Sequence, residues 1–177
     1  MRYTRIYTHI FKDEKFMGLP EDGRNLFIYL LISPHSNSLG VYSLPKIYIA
    51  HDLRWDMARL EKAFTALLSM GLVFYDESME LVLVKNQLKY NPIENHNQAK
   101  AALKILKGLP KSNLFEKLSM HLKEPYHKLL IDFVYEVLNG LLNGYSNGLG
   151  NGYPNKEQKK EQNQDQDKDA KSTERLI

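Results

Sequence analysis

Lys100, Lys104 and Lys107 stand at i, i+4 and i+7 in "NQAKAALKILKGLPK", Lys111 follows past Gly108, and no Asp or Glu lies between Asn95 and Phe115. On a helix that spacing gathers the three ammonium groups on one stripe. Unopposed lysines in a row are what tracking a phosphate backbone requires, because each neutralised phosphate releases condensed counterions and adds to affinity. A merely solvated helix face would read the same way. A second basic set, Lys46, Arg54, Arg59 and Lys62, falls within "SLPKIYIAHDLRWDMARLEKAFTALLSMGLV", together with Ala58, Thr65 and Ser69. Small and hydroxyl side chains let a helix approach base edges closely, and Arg or Lys can bond guanine acceptors in the major groove. The rival reading is the polar outer face that any surface helix needs, since Asp56 and Glu61 nearly balance Arg59 and Lys62.

Catalytic and metal chemistry has little to work with. The chain contains no cysteine, so disulfides, thiolate metal sites and thiol nucleophiles are excluded. Its six histidines are scattered through different predicted elements without metal-ligand spacing. His51 and Asp52 are neighbours on a predicted helix, where adjacent side chains diverge. Neither a G-x-S-x-G elbow nor a G-x-G-x-x-G loop occurs, and a phosphate-binding G-x-x-x-x-G-K-[ST] loop is missing too. No enzyme, cofactor or metal is expected.

At 177 residues and 43% hydrophobic content, the chain can build one core of ordinary size. It has no apolar run resembling a signal peptide or a membrane span, and a cytoplasmic location with no membrane partner is expected. The net charge of +3 says little by itself. Its distribution says more: 18 basic residues face 15 acidic ones before Asn139, against six and six from there on.

The elements that must position these side chains follow from periodicity and punctuation. An extended segment around Tyr3 to Ile6 leads to a polar turn at Asp13 and Glu14. In "LPEDGRNLFIYLLISP", Pro20 suits a first helical turn, Leu26, Phe27, Leu30 and Leu31 form an apolar face, and Pro34 stops the helix. A short strand, Val41-Tyr42, precedes a helix started near Pro45 that buries Ile47, Ile49, Ala50 and Leu53. Asp56 is an N-cap for a longer helix ending at Gly71. On a wheel of about 100° per residue, Leu60, Ala63, Phe64 and Leu67 face the core, while Ala58, Lys62, Thr65 and Ser69 lie opposite with Arg59 at the flank. Trp55 reads as a packing anchor. "LVFYDESMELVLVKN" is a hairpin around an acidic turn. Two further amphipathic helices start near Ser112 and Pro125. The last shows Leu129, Leu130, Phe133, Val134 and Val137, which complete the core or dock a partner helix or a second copy.

Helix, strand, helix, turn, helix, hairpin is the order of a winged helix-turn-helix. The expected fold is mainly α with a small β-hairpin wing: a winged-helix part over 1–92, a helical extension over 93–138, and a disordered low-complexity tail over 139–177. The runs "MRYTRI", "LPKIYIAHDLRWDMARLEKAFTALLSMGLV" and above all "KNQLKYNPIENHNQAK" resemble the N-terminal winged-helix domain of phage replisome-organiser and DnaD-like replication proteins, over roughly residues 1 to 107. The resemblance implies an initiator that binds double-stranded origin DNA and helps recruit the replicative helicase or its loader. An ATPase motor would have to be a separate protein. Because the wing tip bears Asp76, Glu77 and Glu80, phosphate would repel it. A transcriptional regulator or a protein-assembly module built on the same fold stays open.

The tail carries Asn-Gly at 139, 143, 147 and 151. Asn-Gly favours turns over helix, so a folded repeat is not expected there. The regularity points instead to a repeat in the coding DNA.

Overall fold

The computed structural model describes residues 4–123 and 127–148, with side chains up to Leu141. Its elements are mostly helical, with one small antiparallel sheet. The chain divides into two compact units, Met1–Gly140 and Leu141–Ile177.

The first unit opens differently from the sequence expectation. After an irregular segment, Thr8–Lys12 forms a 3₁₀ turn, and the polar turn foreseen at Asp13-Glu14 is the start of a one-turn helix, α1 (Glu14–Met17). Asp13 caps it, its carboxylate accepting from the Phe16 N–H at 2.9 Å, which satisfies one of the orphan donors of a helix start. The helix behind Pro20 is α2 (Glu21–Ile32). Strand β1 (Val41–Ser43) follows, then α3 (Lys46–Leu53) and α4 (Met57–Ser69). In α4 Leu60, Ala63, Phe64 and Leu67 are buried, as their spacing demands.

Expectation fails at Ile47, which is 59% exposed. Two residues along a helix is about 200° of rotation, so Ile47 cannot share the buried side of Ile49.

The hairpin is β2 (Val73–Asp76) and β3 (Leu81–Val84). Its turn is organised by Asp76, whose Oδ1 accepts from the Ser78 and Met79 N–H groups and from the Ser78 hydroxyl. The sheet order is β1-β3-β2, with Val41 opposite Leu83 and Val73 opposite Val84. Gly40 brings β1 in at φ +73, a conformation in which a Cβ would lie 2.5 Å from the Cβ of Gln87; only glycine fits both demands.

All four residues of central strand β3 are buried, so both faces of the sheet are covered. Val82 and Val84 join the α2–α3–α4 core with Leu26, Leu30, Ile49, Leu60 and Phe64. The other face meets the C-terminal helices. Phe74 lies opposite Leu83, and Lys117 of α7 (Leu114–Ser119) sits 4.7 Å from the Phe74 ring centre. Between the sheet and α7 come α5 (Gln87–Tyr90) and α6 (His96–Lys107). Leu114, Phe115 and Leu118 of α7 are buried, as are Leu130, Val134 and Val137 of α8 (Lys128–Gly148). These faces complete the interior, and the stretches expected as 1–92 and 93–138 fall within one compact unit.

Helix α8 runs past Asn139 to Gly148, so the turn-forming Asn-Gly pairs at 139, 143 and 147 are helical. A helix already nucleated by "LLIDFVYEVL" propagates more easily than it starts, and tolerates glycine at about 1 kcal/mol each. The rest of the expected tail, 149–177, lies outside the described residues. No helix among the described residues is long and apolar enough to cross a membrane.

Candidate nucleic-acid interface

The α3–α4 turn closes tightly. Arg54 adopts a left-handed conformation (φ 55, ψ 42), the Arg54 N–H donates to the His51 carbonyl and the Trp55 N–H to that of Ala50. This is the terminal geometry usually given to glycine, and here it projects an exposed Arg54 from the turn. Asp56 then caps α4, accepting from the Arg59 N–H at 2.7 Å. Trp55 is half-buried against the core, as an anchor should be.

The outer face of α4 presents Ala58, Lys62, Thr65 and Ser69, all exposed. Thr65 and Ser69 donate their hydroxyl protons to the carbonyls of Glu61 and Ala66, so each oxygen keeps only acceptor capacity toward a ligand. Lys62 and Arg54 form no ion pair among the described residues.

Arg59 and Lys46 have intramolecular work that their sequence positions do not reveal. The Arg59 guanidinium grips Asp22 of α2 in a two-pronged pair, Nε to Oδ2 at 2.9 Å and Nη2 to Oδ1 at 2.6 Å, and stacks 4.5 Å from the centre of Trp55. That hydrogen bond holds the Asp22 carboxyl below its usual range. Lys46 reaches Glu61 at 3.1 Å and Glu77 at 2.5 Å, with its side chain only 14% exposed. Its ammonium lies 5.3 and 5.2 Å from the ring centres of Phe64 and Tyr75. Burial works against this charge, yet the bonds to Glu77 and Glu61 outweigh it and the pKa is raised. Tyr75 is pushed up to about 12, by burial first and then by Glu77 and Glu80. Lys46 thus ties the hairpin tip to α4 and cancels part of the acid foreseen there. To meet a phosphate it would have to abandon two carboxylates.

Helix α6 starts with a reciprocal cap: Asn95 accepts from the Gln98 N–H at 2.9 Å and the Gln98 side chain accepts from the Glu94 N–H at 2.7 Å. Ala99, Ala102 and Leu106 are buried, which turns Lys100, Lys104 and Lys107 outward, and all three are exposed together with Lys111. Lys107 lies 5.6 Å from the Phe133 ring centre. None of the four lysines forms an ion pair among the described residues.

Sequence reasoning missed the acidic partners Asp22, Glu61 and Glu77, which lie 37, 15 and 31 residues from the cations they hold; no local spacing signals such pairs. It also missed the rings and cations gathered where the N-terminal segment meets α5. Among the described residues no group of three or more His, Asp or Glu could hold a metal ion. Set against known protein families, curated proteins and solved structures, the chain matches none at a significant level.

Proposed function

We propose that this chain is a winged helix-turn-helix protein that binds double-stranded DNA and serves phage or prophage replication initiation, helping to recruit a replicative helicase or its loader. The observation that carries the DNA reading is the α6 stripe: Lys100, Lys104 and Lys107, exposed on one face and in no ion pair among the described residues. The order α2-β1-α3-α4-β2-β3 supports the fold assignment, with α4 as the groove helix and the hairpin as the wing. In this reading Lys62, Arg54, Ala58, Thr65 and Ser69 contact DNA, and Lys46 and Arg59 set the frame that presents them. The replication role rests on the resemblance of "KNQLKYNPIENHNQAK". A role in protein assembly has one observation of its own, the exposed Ile47 and Tyr48 on α3.

Titrating the full-length protein against random duplex and against fragments of its own gene, at several salt concentrations, tests the proposal. A non-specific dissociation constant on the order of 10⁻⁴ to 10⁻⁶ M at physiological salt is expected, weakening steeply as salt rises. Absence of binding even at low salt would remove the DNA reading and favour assembly.

A further inference from the structure

Away from α4, the N-terminal segment and the strand-to-helix turn at α5 bring together three rings and several cations. Tyr7, His9 and Tyr90 form a mutual triangle with ring centres 5.6, 5.7 and 5.9 Å apart, tilted rather than stacked. Tyr7 is 44% exposed and His9 is exposed, so ring faces remain open to solvent. Lys89 lies 5.3 Å from the centre of Tyr90. Lys85 and Arg5 line the adjoining cavity with Tyr7, His9 and Tyr90. The arrangement is built: Asn91 accepts from the Arg5 N–H at 2.9 Å and its amide donates to the Arg5 carbonyl, fastening the N-terminal segment to the end of α5. Asn86, at φ 64, makes the turn between Lys85 and Tyr90, which line the same cavity.

The cavity measures about 80 Å³, and its floor is apolar, with Phe16, Phe27 and Leu72. That is several times the ~10–15 Å³ a single water requires and well below the ~300 Å³ at which cofactor and metabolite sites begin. It admits the edge of one planar ring. Lys85 lines it and Lys89 stands over the neighbouring Tyr90, while the one lining carboxylate, Asp13, is already committed to capping α1. An apolar slot for a flat ring, open aromatic faces beside it and two lysines at its edge match a chain that alternates bases with phosphates. Duplex DNA does not fit, because its bases are stacked and its outer surface offers only phosphate and groove edges.

We propose that the Tyr7–His9–Tyr90 cluster binds single-stranded nucleic acid, stacking an unpaired base on the rings while Lys85 and Lys89 hold the flanking phosphates. Its residues are not those of the α4 and α6 surfaces, and the proposal stands on its own observations.

The test compares full-length protein and its variants by anisotropy on a labelled 15-nucleotide thymidine strand, an abasic strand of equal length and a hairpin duplex. Tyr7→Ala with His9→Ala is expected to weaken thymidine-strand binding about five- to 150-fold, the range for losing one stacked base, and to leave duplex binding unchanged. Tyr7→Phe, which keeps the ring, retains affinity. The abasic strand binds the wild type as weakly as the thymidine strand binds the double variant. Equal affinity for abasic and thymidine strands overturns the proposal. So does a thymidine affinity that falls with Lys100→Ala and Lys104→Ala but not with the ring changes. If no single strand binds, the cluster belongs to a protein partner instead. Loss of duplex binding alone would count against the α4–α6 reading only.

Discussion

The Arg59 guanidinium closes on Asp22 through two parallel hydrogen bonds, 2.6 and 2.9 Å long, and so fastens the start of α4 to the start of α2. Asp22 therefore sits beside the helix proposed to face DNA, with Lys62 within its electrostatic reach. Changing Asp22→Ala removes a negative charge from that surface and releases Arg59. Duplex affinity is expected to rise at low salt, with a modest fall in melting temperature because the pair is partly exposed. Arg59→Ala should lower the melting temperature similarly and leave Asp22 uncompensated near phosphate, so its duplex binding weakens. If Asp22→Ala weakens duplex binding as much as Arg59→Ala does, α4 does not face DNA.

Lys46 offers the opposite case, a basic residue whose charge is used inside the protein. Lys46→Met keeps the stem over Phe64 and Tyr75 but leaves Glu61 and Glu77 facing each other. A double-mutant cycle of Lys46→Met with Glu77→Gln should give a coupling of about 0.2–1 kcal/mol, the range for ion pairs open to solvent on one side. The salt dependence of DNA binding should not change slope. A slope lowered by about 0.9 would mean that Lys46 touches a phosphate after all.

The α6 stripe is tested by the same slope. Replacing Lys100, Lys104 and Lys107 by alanine should weaken every duplex alike and lower the slope by up to about 0.9 per lost contact. Lys62→Ala should instead narrow the gap between specific and random DNA. A triple variant with an unaltered slope would make the stripe plain solvated surface.

Much of this was legible in the residues. Asp56, the Leu60-Ala63-Phe64-Leu67 spacing and Gly71 located α4, and the same wheel predicted which of its residues face solvent. The α6 lysines turned outward because Ala99, Ala102 and Leu106 had to turn inward. What could not be read was long-range pairing: nothing near Arg59 names Asp22, and nothing near Lys46 names Glu77. Ile47 is exposed where Ile49 is buried because residues two apart lie on nearly opposite sides of a helix, which a count of apolar residues does not register. Asp13 does carry a local signal, since an Asp whose carboxylate can reach the N–H three residues on, at Phe16, is a capping pattern.

Asp76 links the hairpin to the C-terminal helices, accepting a hydrogen bond from the Ser112 hydroxyl. That bond, followed by the one from Ser78, is the main reason its carboxyl lies below the ordinary value of 3.8. A depressed carboxylate pKa stabilises the fold fully above the unfolded value, and the contribution fades as pH falls through the folded one. Ser112→Ala should therefore cost about 1 kcal/mol at neutral pH, discounted for partial exposure. The gap between wild type and variant in urea unfolding should stay constant down to about pH 4 and shrink below it. A gap that instead widens on acidification would contradict the assignment.

Gly140 tests the helical continuation of α8. An Asn-Gly pair in a turn commonly holds its glycine at positive φ, where alanine is strained. Within α8, Gly140 is exposed, it is absent from the positive-φ glycines of the described residues, and a Cβ added there meets nothing within 4 Å. Alanine loses less backbone entropy than glycine on entering a helix and exposes less backbone to water. Gly140→Ala is thus expected to raise helical content by circular dichroism and to stabilise the protein by about 0.5–1 kcal/mol. Asn139→Ala should act in the same direction by a smaller amount, since asparagine is only moderately unfavourable in a helix interior. Were residues 139 and 140 a turn in solution, Gly140→Ala would destabilise the protein and lower its helicity, and α8 would end near Leu138.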